Sequence, residues 1–287
     1  MSLAERIALV NEKIAAAARQ AGREPSEVTL VAATKVQTSD TIRQAIAAGV
    51  TICGENRVQE MTAHLDDDAY AGAALHFIGH LQTNKVRQVV GRVELIESVG
   101  SEHLLEAIEA QAAKLELVQD ILLEVNIGGE ASKSGISPEE LSALAAQAVG
   151  SPHVRLRGLM AIPPVAAGPD GNRPFFTKMR QLYVDIRSQM DDNKTSFDCL
   201  SMGRRAGRGH PGPGGYRPVW APSSHAQRIE QIREVTEMGF LDELKRLARP
   251  YEDEEEEEEF DDFEPVSRSE RMDRTGGDRL ERKAPKA

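Results

Sequence analysis

Val28-Thr29-Leu30-Val31-Ala32-Ala33-Thr34-Lys35 is a run of apolar and β-branched residues that ends in an amine. It reads as a buried strand, with Lys35 at the mouth of the core. Burying an ammonium is costly, so lysine is seldom placed there for packing. A desolvated lysine loses its proton more readily and becomes a nucleophile for aldehydes. The plainer alternative is a strand that simply ends in solvent at Lys35.

Strands and helices alternate outward from this run. Leu3, Ile7, Val10, Ile14 and Ala17-Ala18 recur at helical spacing over 3–22, before Gly22. Further short apolar runs predict strands at 51–53, 75–80, 93–99, 121–127, 156–162 and 197–202. Helices are expected over 39–48, from about 56, from about 83, over 102–115 and over 175–189. Ser137-Pro138-Glu139-Glu140 predicts one more, with Ser137 as cap, Pro138 in the first position and Glu140 three residues on.

Seven strand–helix steps imply an α/β chain with parallel pairing and right-handed crossovers. An open doubly wound sheet and a closed (β/α)8 TIM-type barrel both fit that pattern. No GxGxxG follows the first strand, which argues against a dinucleotide fold. Lys35, Gly54-Glu55-Asn56, Gly79-His80, Asn126, Met160 and Ser201 gather at strand ends. A polar ring at the C-terminal ends of several strands is how a barrel builds its site, so the barrel is preferred.

The eighth strand is missing where it should come. Residues 204–222 hold five glycines, four prolines and four arginines, a composition that predicts neither a central strand nor a stable helix. A flexible linker is preferred to an RGG-like RNA-binding segment, because the stretch is short and unrepeated. With no eighth strand, the first and seventh would expose unpaired edges. Residues 226–250 then predict an amphipathic helix, with Phe240, Leu241, Leu244 and Leu247 on one face. It could lie on a membrane surface or bind a partner helix. Residues 251–287 read as a disordered tail, acidic at first and then of mixed charge.

The net charge of −11 is local, because 252–264 alone holds 11 carboxylates. The rest is neutral overall, which gives no support to nucleic-acid binding through a basic surface. Cys53 and Cys199 form no CxxC pair, and no stretch approaches the ~20 apolar residues of a membrane span. The N-terminus lacks a secretory pattern. A reduced, cytoplasmic location follows as the expectation.

Three further stretches place polar groups directly after predicted strands: Gly54-Glu55-Asn56-Arg57-Val58-Gln59-Glu60, His76 to Lys85, and Gly129-Glu130-Ala131-Ser132-Lys133-Ser134-Gly135. Singly each has an ordinary reading, such as Asn56 capping a helix or His80 as a structural histidine. A zinc site at His76 and His80 fails, because their four-residue spacing suits a helix and this segment reads as a strand.

Together these stretches resemble the pyridoxal phosphate homeostasis proteins (the YggS/PROSC family), whose barrel is that of the alanine racemase N-terminal domain. Leu30–Lys35, Val125-Asn126-Ile127, Lys133–Ile136, Arg157–Ile162 and Leu200-Ser201-Met202-Gly203 carry the likeness as well, so that it spans 1–203. The resemblance implies a Schiff base between Lys35 and the aldehyde of pyridoxal 5′-phosphate (PLP). It places Asn56, His80 and Met160 around the cofactor and Ser201 in the phosphate site, and gives Lys133 a secondary reaction with the aldehyde. It implies a protein that holds or delivers the cofactor, with PLP-dependent apoenzymes as partners, rather than a catalyst. The enzyme alternative is a racemase-like activity, for which no second catalytic residue is identified. A monomer is expected.

The chain departs from the family after Gly203. The expected Met-Ser-x-Asp and the Arg-(Val/Ile)-Gly-Thr-x-Ile-Phe-Gly of strand eight, with its phosphate contacts, are absent. An out-of-frame reading of that ending would account for 204–225. Read from its third base, Trp220-Ala221-Pro222-Ser223-Ser224 can encode Gly-Thr and two apolar residues. Residues 238–287 resemble the start of a SepF-type cell-division protein, which implies membrane contact by 238–250. On that alternative the tail, not the barrel, carries the function.

Overall fold

The computed structural model describes residues 1–130, 134–164, 171–190 and 196–203, and the backbone of 216–220. The chain divides into a unit of 1–251 and a unit of 252–287, and the second lies wholly outside the described residues. Also outside them are Lys133, most of 204–225, and the helix and tail expected over 226–287.

β1 (Val28–Ala33), β2 (Ile52–Glu55), β3 (Ala74–Phe77), β4 (Leu95–Val99), β5 (Gln119–Glu124), β6 (Val154–Ala161) and β7 (Cys199–Met202) pair in parallel in sequence order. Between them run α1 (Leu3–Gln20, ahead of β1), α2 (Ser39–Ala47), α3 (Val58–Asp66), α4 (Glu102–Lys114), α5 (Leu141–Gly150) and α6 (Arg173–Ser188). α1, α2 and α4 start where a side chain satisfies one of their first N–H groups. Ser2 accepts from Glu5 N at 3.2 Å while Glu5 Oε2 accepts from Ser2 N at 2.7 Å, a reciprocal cap on α1. Thr38 and Ser101 cap α2 and α4 in the simpler way.

Side chains on each strand divide by parity. On β5, Ile121 and Leu123 join the large cluster shared with the helices, whereas Leu122 packs with Leu95 and Met160 inside the barrel. That alternation is what a closed sheet with a filled interior requires. The contact between β6 and β7 depends on Gly158. A Cβ there would stand 1.7 Å from the Cys199 carbonyl oxygen.

The sheet closes through a strand that the sequence does not predict. β8 (Tyr216–Trp220) lies between β7 and β1 and runs antiparallel to both. The parallel eighth strand of a regular barrel is absent, as expected, but the seam is not open. The expectation of irregular backbone throughout 204–225, with bare edges on β1 and β7, is therefore corrected at 216–220. Pro218 stands opposite Leu30 within the β1 ladder, while the β7 ladder involves only Val219 and Trp220.

Three local expectations also change. The segment after β3 is a 3-10 turn at Thr83–Gln88 instead of an α-helix, with one buried apolar residue, Val86, and no side-chain cap from Gln82. Ser137 accepts from Glu140 N at 3.3 Å, but this bond closes a turn, and α5 begins only at Leu141. β1 stops at Ala33 instead of reaching Lys35, because 34–37 is a turn closed by Gln37 N to Thr34 O at 3.1 Å.

At the N-terminal ends of the strands, Asp120 ties β5 to β6. It accepts from Arg155 Nε at 2.6 Å and Nη2 at 2.8 Å, and from Arg157 Nη1 at 2.6 Å. Arg157 also donates to Asp198 at 2.8 Å, and these bonds, Asp198's foremost, hold its guanidinium more firmly protonated against the cost of burial. Asp120→Asn should lower the unfolding free energy by about 2 kcal/mol in urea titrations, since Arg157 remains part-buried facing a neutral amide.

Candidate functional site

Lys35 lies just past the end of β1 and is exposed, which corrects the picture of an amine desolvated in the core. Its backbone is the unusual part. Lys35 and Val36 are the central residues of the 34–37 turn, and Val36 adopts φ +60°. A β-branched residue in the left-handed region is a real outlier, at a cost of about 1–3 kcal/mol.

Bonds on both flanks offset that strain. Thr34 Oγ1 lies 2.6 Å from Glu55 Oε1 and 3.2 Å from the Gly54 carbonyl. Val36 N donates to Glu60 Oε2 at 2.9 Å, and His64 Nε2 lies 3.0 Å from the Gln37 carbonyl. That carbonyl only accepts, so Nε2 donates to it. At about 1 kcal/mol net for each bond, the set is sufficient to hold the turn. Glu55 itself is fully buried and also accepts from Tyr70 Oη at 2.7 Å. Burial, and then Glu55, raises the Tyr70 phenol far above its usual range.

Lys35, Asn56 and His80 follow the ends of three neighbouring strands. Ala33 pairs with Gly54 and Gly54 with His76, so Lys35 and Asn56 stand at corresponding steps beyond β1 and β2. Gly79 brings the ends of β2 and β3 together, since a Cβ there would meet the Asn56 carbonyl oxygen at 2.0 Å. Asn56 is half-buried and His80 exposed. Met160 and Ser201 pair with each other on β6 and β7, both fully buried in the barrel interior.

Ser201 does not have the surroundings expected of a phosphate contact. Its hydroxyl donates to Glu97 Oε2 at 2.7 Å, deep in the barrel, where a carboxylate would oppose an anion. Glu97 Oε1 also takes His76 Nδ1 at 2.8 Å, so that Glu97 links β3, β4 and β7. Sequence reading missed this link and Glu124, which accepts from Ser134 Oγ at 3.0 Å. The available signal was Glu97 itself, a carboxylate in the middle of Leu95-Ile96-Glu97-Ser98-Val99.

Asn126, just past β5, donates through Nδ2 to the Glu130 carbonyl at 2.8 Å, and its buried Oδ1 has no partner among the described residues. The strand ends thus offer an amine and an open acceptor, with Met160 buried in the barrel interior. That set fits an aromatic ligand bearing an aldehyde. Among the described residues no cluster of His, Cys, Asp and Glu could hold a metal ion. A cavity of about 430 Å3 lies between Thr38–Asp40 and Ala63, His64 and Asp67, next to the 34–37 turn.

The cysteines are poor nucleophiles. Burial pushes both thiols up to about 12, with Glu55 adding to the effect at Cys53 and Asp198 at Cys199. A raised pKa leaves little thiolate at neutral pH. Iodoacetamide should leave both unmodified in the native protein and label both after unfolding, as read by mass spectrometry.

The family described as "Alanine racemase, N-terminal domain" matches residues 10–207. A pyridoxal phosphate homeostasis protein of Aquifex aeolicus is 38% identical over 203 residues, which cover 71% of this chain and 88% of that protein. One from Pseudomonas aeruginosa is 37% identical over 202 residues, covering 70% and 85%. PipY of Synechococcus elongatus, solved with PLP bound, superposes with a TM-score of 0.59 at 28% identity, over 69% of this chain and 87% of PipY.

Proposed function

We propose, taking as premise that the chain belongs to the alanine racemase N-terminal-domain family and to the pyridoxal phosphate homeostasis proteins within it, that it binds pyridoxal 5′-phosphate through Lys35 and serves to hold and deliver that cofactor. The observation that carries the reading is the clamped turn that presents Lys35 beside Asn56 and His80. The bound cofactor supplies an aldehyde whose carbon joins the Lys35 amine, with release of one water. Asn56 and His80 flank the amine and Met160 forms the apolar floor. Ser201 reaches the phosphate only if its hydroxyl leaves Glu97, and Lys133 is a second site for reaction with the same aldehyde.

No helix among the described residues is long and apolar enough to cross a membrane. On this reading the chain works as a monomer in the cytoplasm and passes the cofactor to apoenzymes. Residues 238–250 touch a membrane surface, which liposome pelleting of the full chain would check.

The test is to incubate the protein with the cofactor, reduce with borohydride and map the adduct by mass spectrometry. One adduct at Lys35 is expected. No adduct, or label scattered over the exposed lysines, would sink the reading. Turnover of amino acids by the loaded protein would favour the racemase-like alternative.

A further inference from the structure

We infer that Glu55 positions Lys35, acting through Thr34 and His64 on the two flanks of the 34–37 turn. The inference rests on the proposed role of Lys35 and adds to it a residue that does not touch the ligand. Gly54 faces the barrel interior, where a Cβ would meet Val31 and Ile78, so its neighbour Glu55 faces the helices. From there its carboxylate can act on the Lys35 amine only through the backbone.

The geometry supplies that route. A single oxygen, Glu55 Oε1, lies 2.6 Å from Thr34 Oγ1 and 3.0 Å from His64 Nδ1. His64 spans onward to the Gln37 carbonyl through Nε2, and Thr34 is the first residue of the turn. One buried atom thus fixes residues 34 and 37, the ends of the segment whose centre is Lys35 and the strained Val36. Lys35 is exposed and has four rotatable bonds, so its backbone is the handle by which the fold sets where the amine can go. Oε2 of the same carboxylate is buried without a partner among the described residues, so the set of bonds rests on Oε1.

The test uses the full chain and three readouts: the rate of the borohydride-trapped adduct at Lys35, the affinity for pyridoxamine 5′-phosphate, which lacks the aldehyde, and amide exchange at Val36 and Gln37 without ligand. Glu55→Ala should slow adduct formation about tenfold or more, because small misplacements of a reacting group cost rates of that order. It should change the pyridoxamine 5′-phosphate affinity by less than about threefold, and speed exchange at the two amides about tenfold while β6 keeps its protection. Glu55→Gln should restore most of the rate, since its amide oxygen can stand in for Oε1. Thr34→Val should shift rate and exchange the same way by a smaller factor, and it carries the test if Glu55→Ala does not fold.

Wild-type rate and exchange in both Glu55→Ala and Thr34→Val would overturn the inference. So would a uniform loss in all readouts like that of a matched destabilised control, Asp120→Asn. A wild-type protein that takes up no aldehyde would defeat the functional reading instead, and the exchange data would still decide whether Glu55 holds the turn.

Discussion

Lys35→Ala is expected to abolish covalent capture of pyridoxal 5′-phosphate and to weaken its retention about 100-fold, or ~2.8 kcal/mol. Without the amine, the cofactor is held only by what surrounds it, and described polar partners such as Asn56 and His80 are few and partly open to water. The fold should not notice the change. Lys35 is exposed, and surface substitutions of this kind stay within about 0.5 kcal/mol. Absorbance titration and equilibrium dialysis measure the loss, and a melt measures the fold. An unchanged adduct in Lys35→Ala would move the chemistry elsewhere, with Lys133 the first place to look in the peptide map.

Gly158→Ala should do the reverse and strike the fold first. The new methyl would lie 1.7 Å from the Cys199 carbonyl oxygen, a backbone atom with no rotamer by which to move away. The positive φ of +153° adds strain for any L side chain. Relief requires β6 and β7 to separate, at the cost of the ladder that pairs Leu159 with Leu200 and Met160 with Ser201. Overpacking with backbone strain makes about 4 kcal/mol a reasonable scale, and in a chain of this size that is ~10 °C or more in Tm. Gly150→Ala is the comparison, because no atom lies within 4 Å of a Cβ there. Equal melting temperatures for the two variants would mean that the strands part more easily than their spacing indicates.

Much of the barrel was legible because apolar runs and polar strand ends alternate in step with the chain. Val28–Ala33 and Leu95–Val99 read as strands on composition alone, and the helical spacing of Leu3, Ile7, Val10 and Ile14 marks α1. What stayed hidden depends on direction and on tertiary partners. A single residue decides whether a side chain faces the interior or the helices, so Glu55 read as part of a ligand ring when it faces α3. Val36 gave no hint of a left-handed turn, because only the bonds from Glu55, Glu60 and His64 make that backbone affordable. At β8, Pro218 argued against a strand, yet it takes a place in the β1 ladder opposite Leu30.

The reversed direction of β8 decides from which pole the polypeptide departs. Trp220 pairs with Val28 and Tyr216 with Ala32, so the strand descends from the lysine's end of the barrel to the opposite end. An ordinary parallel eighth strand would release the following residues beside the amine. Here the strand begins at the lysine's end instead, so Tyr216 lies toward the mouth and Trp220 toward the base, a strand's length away.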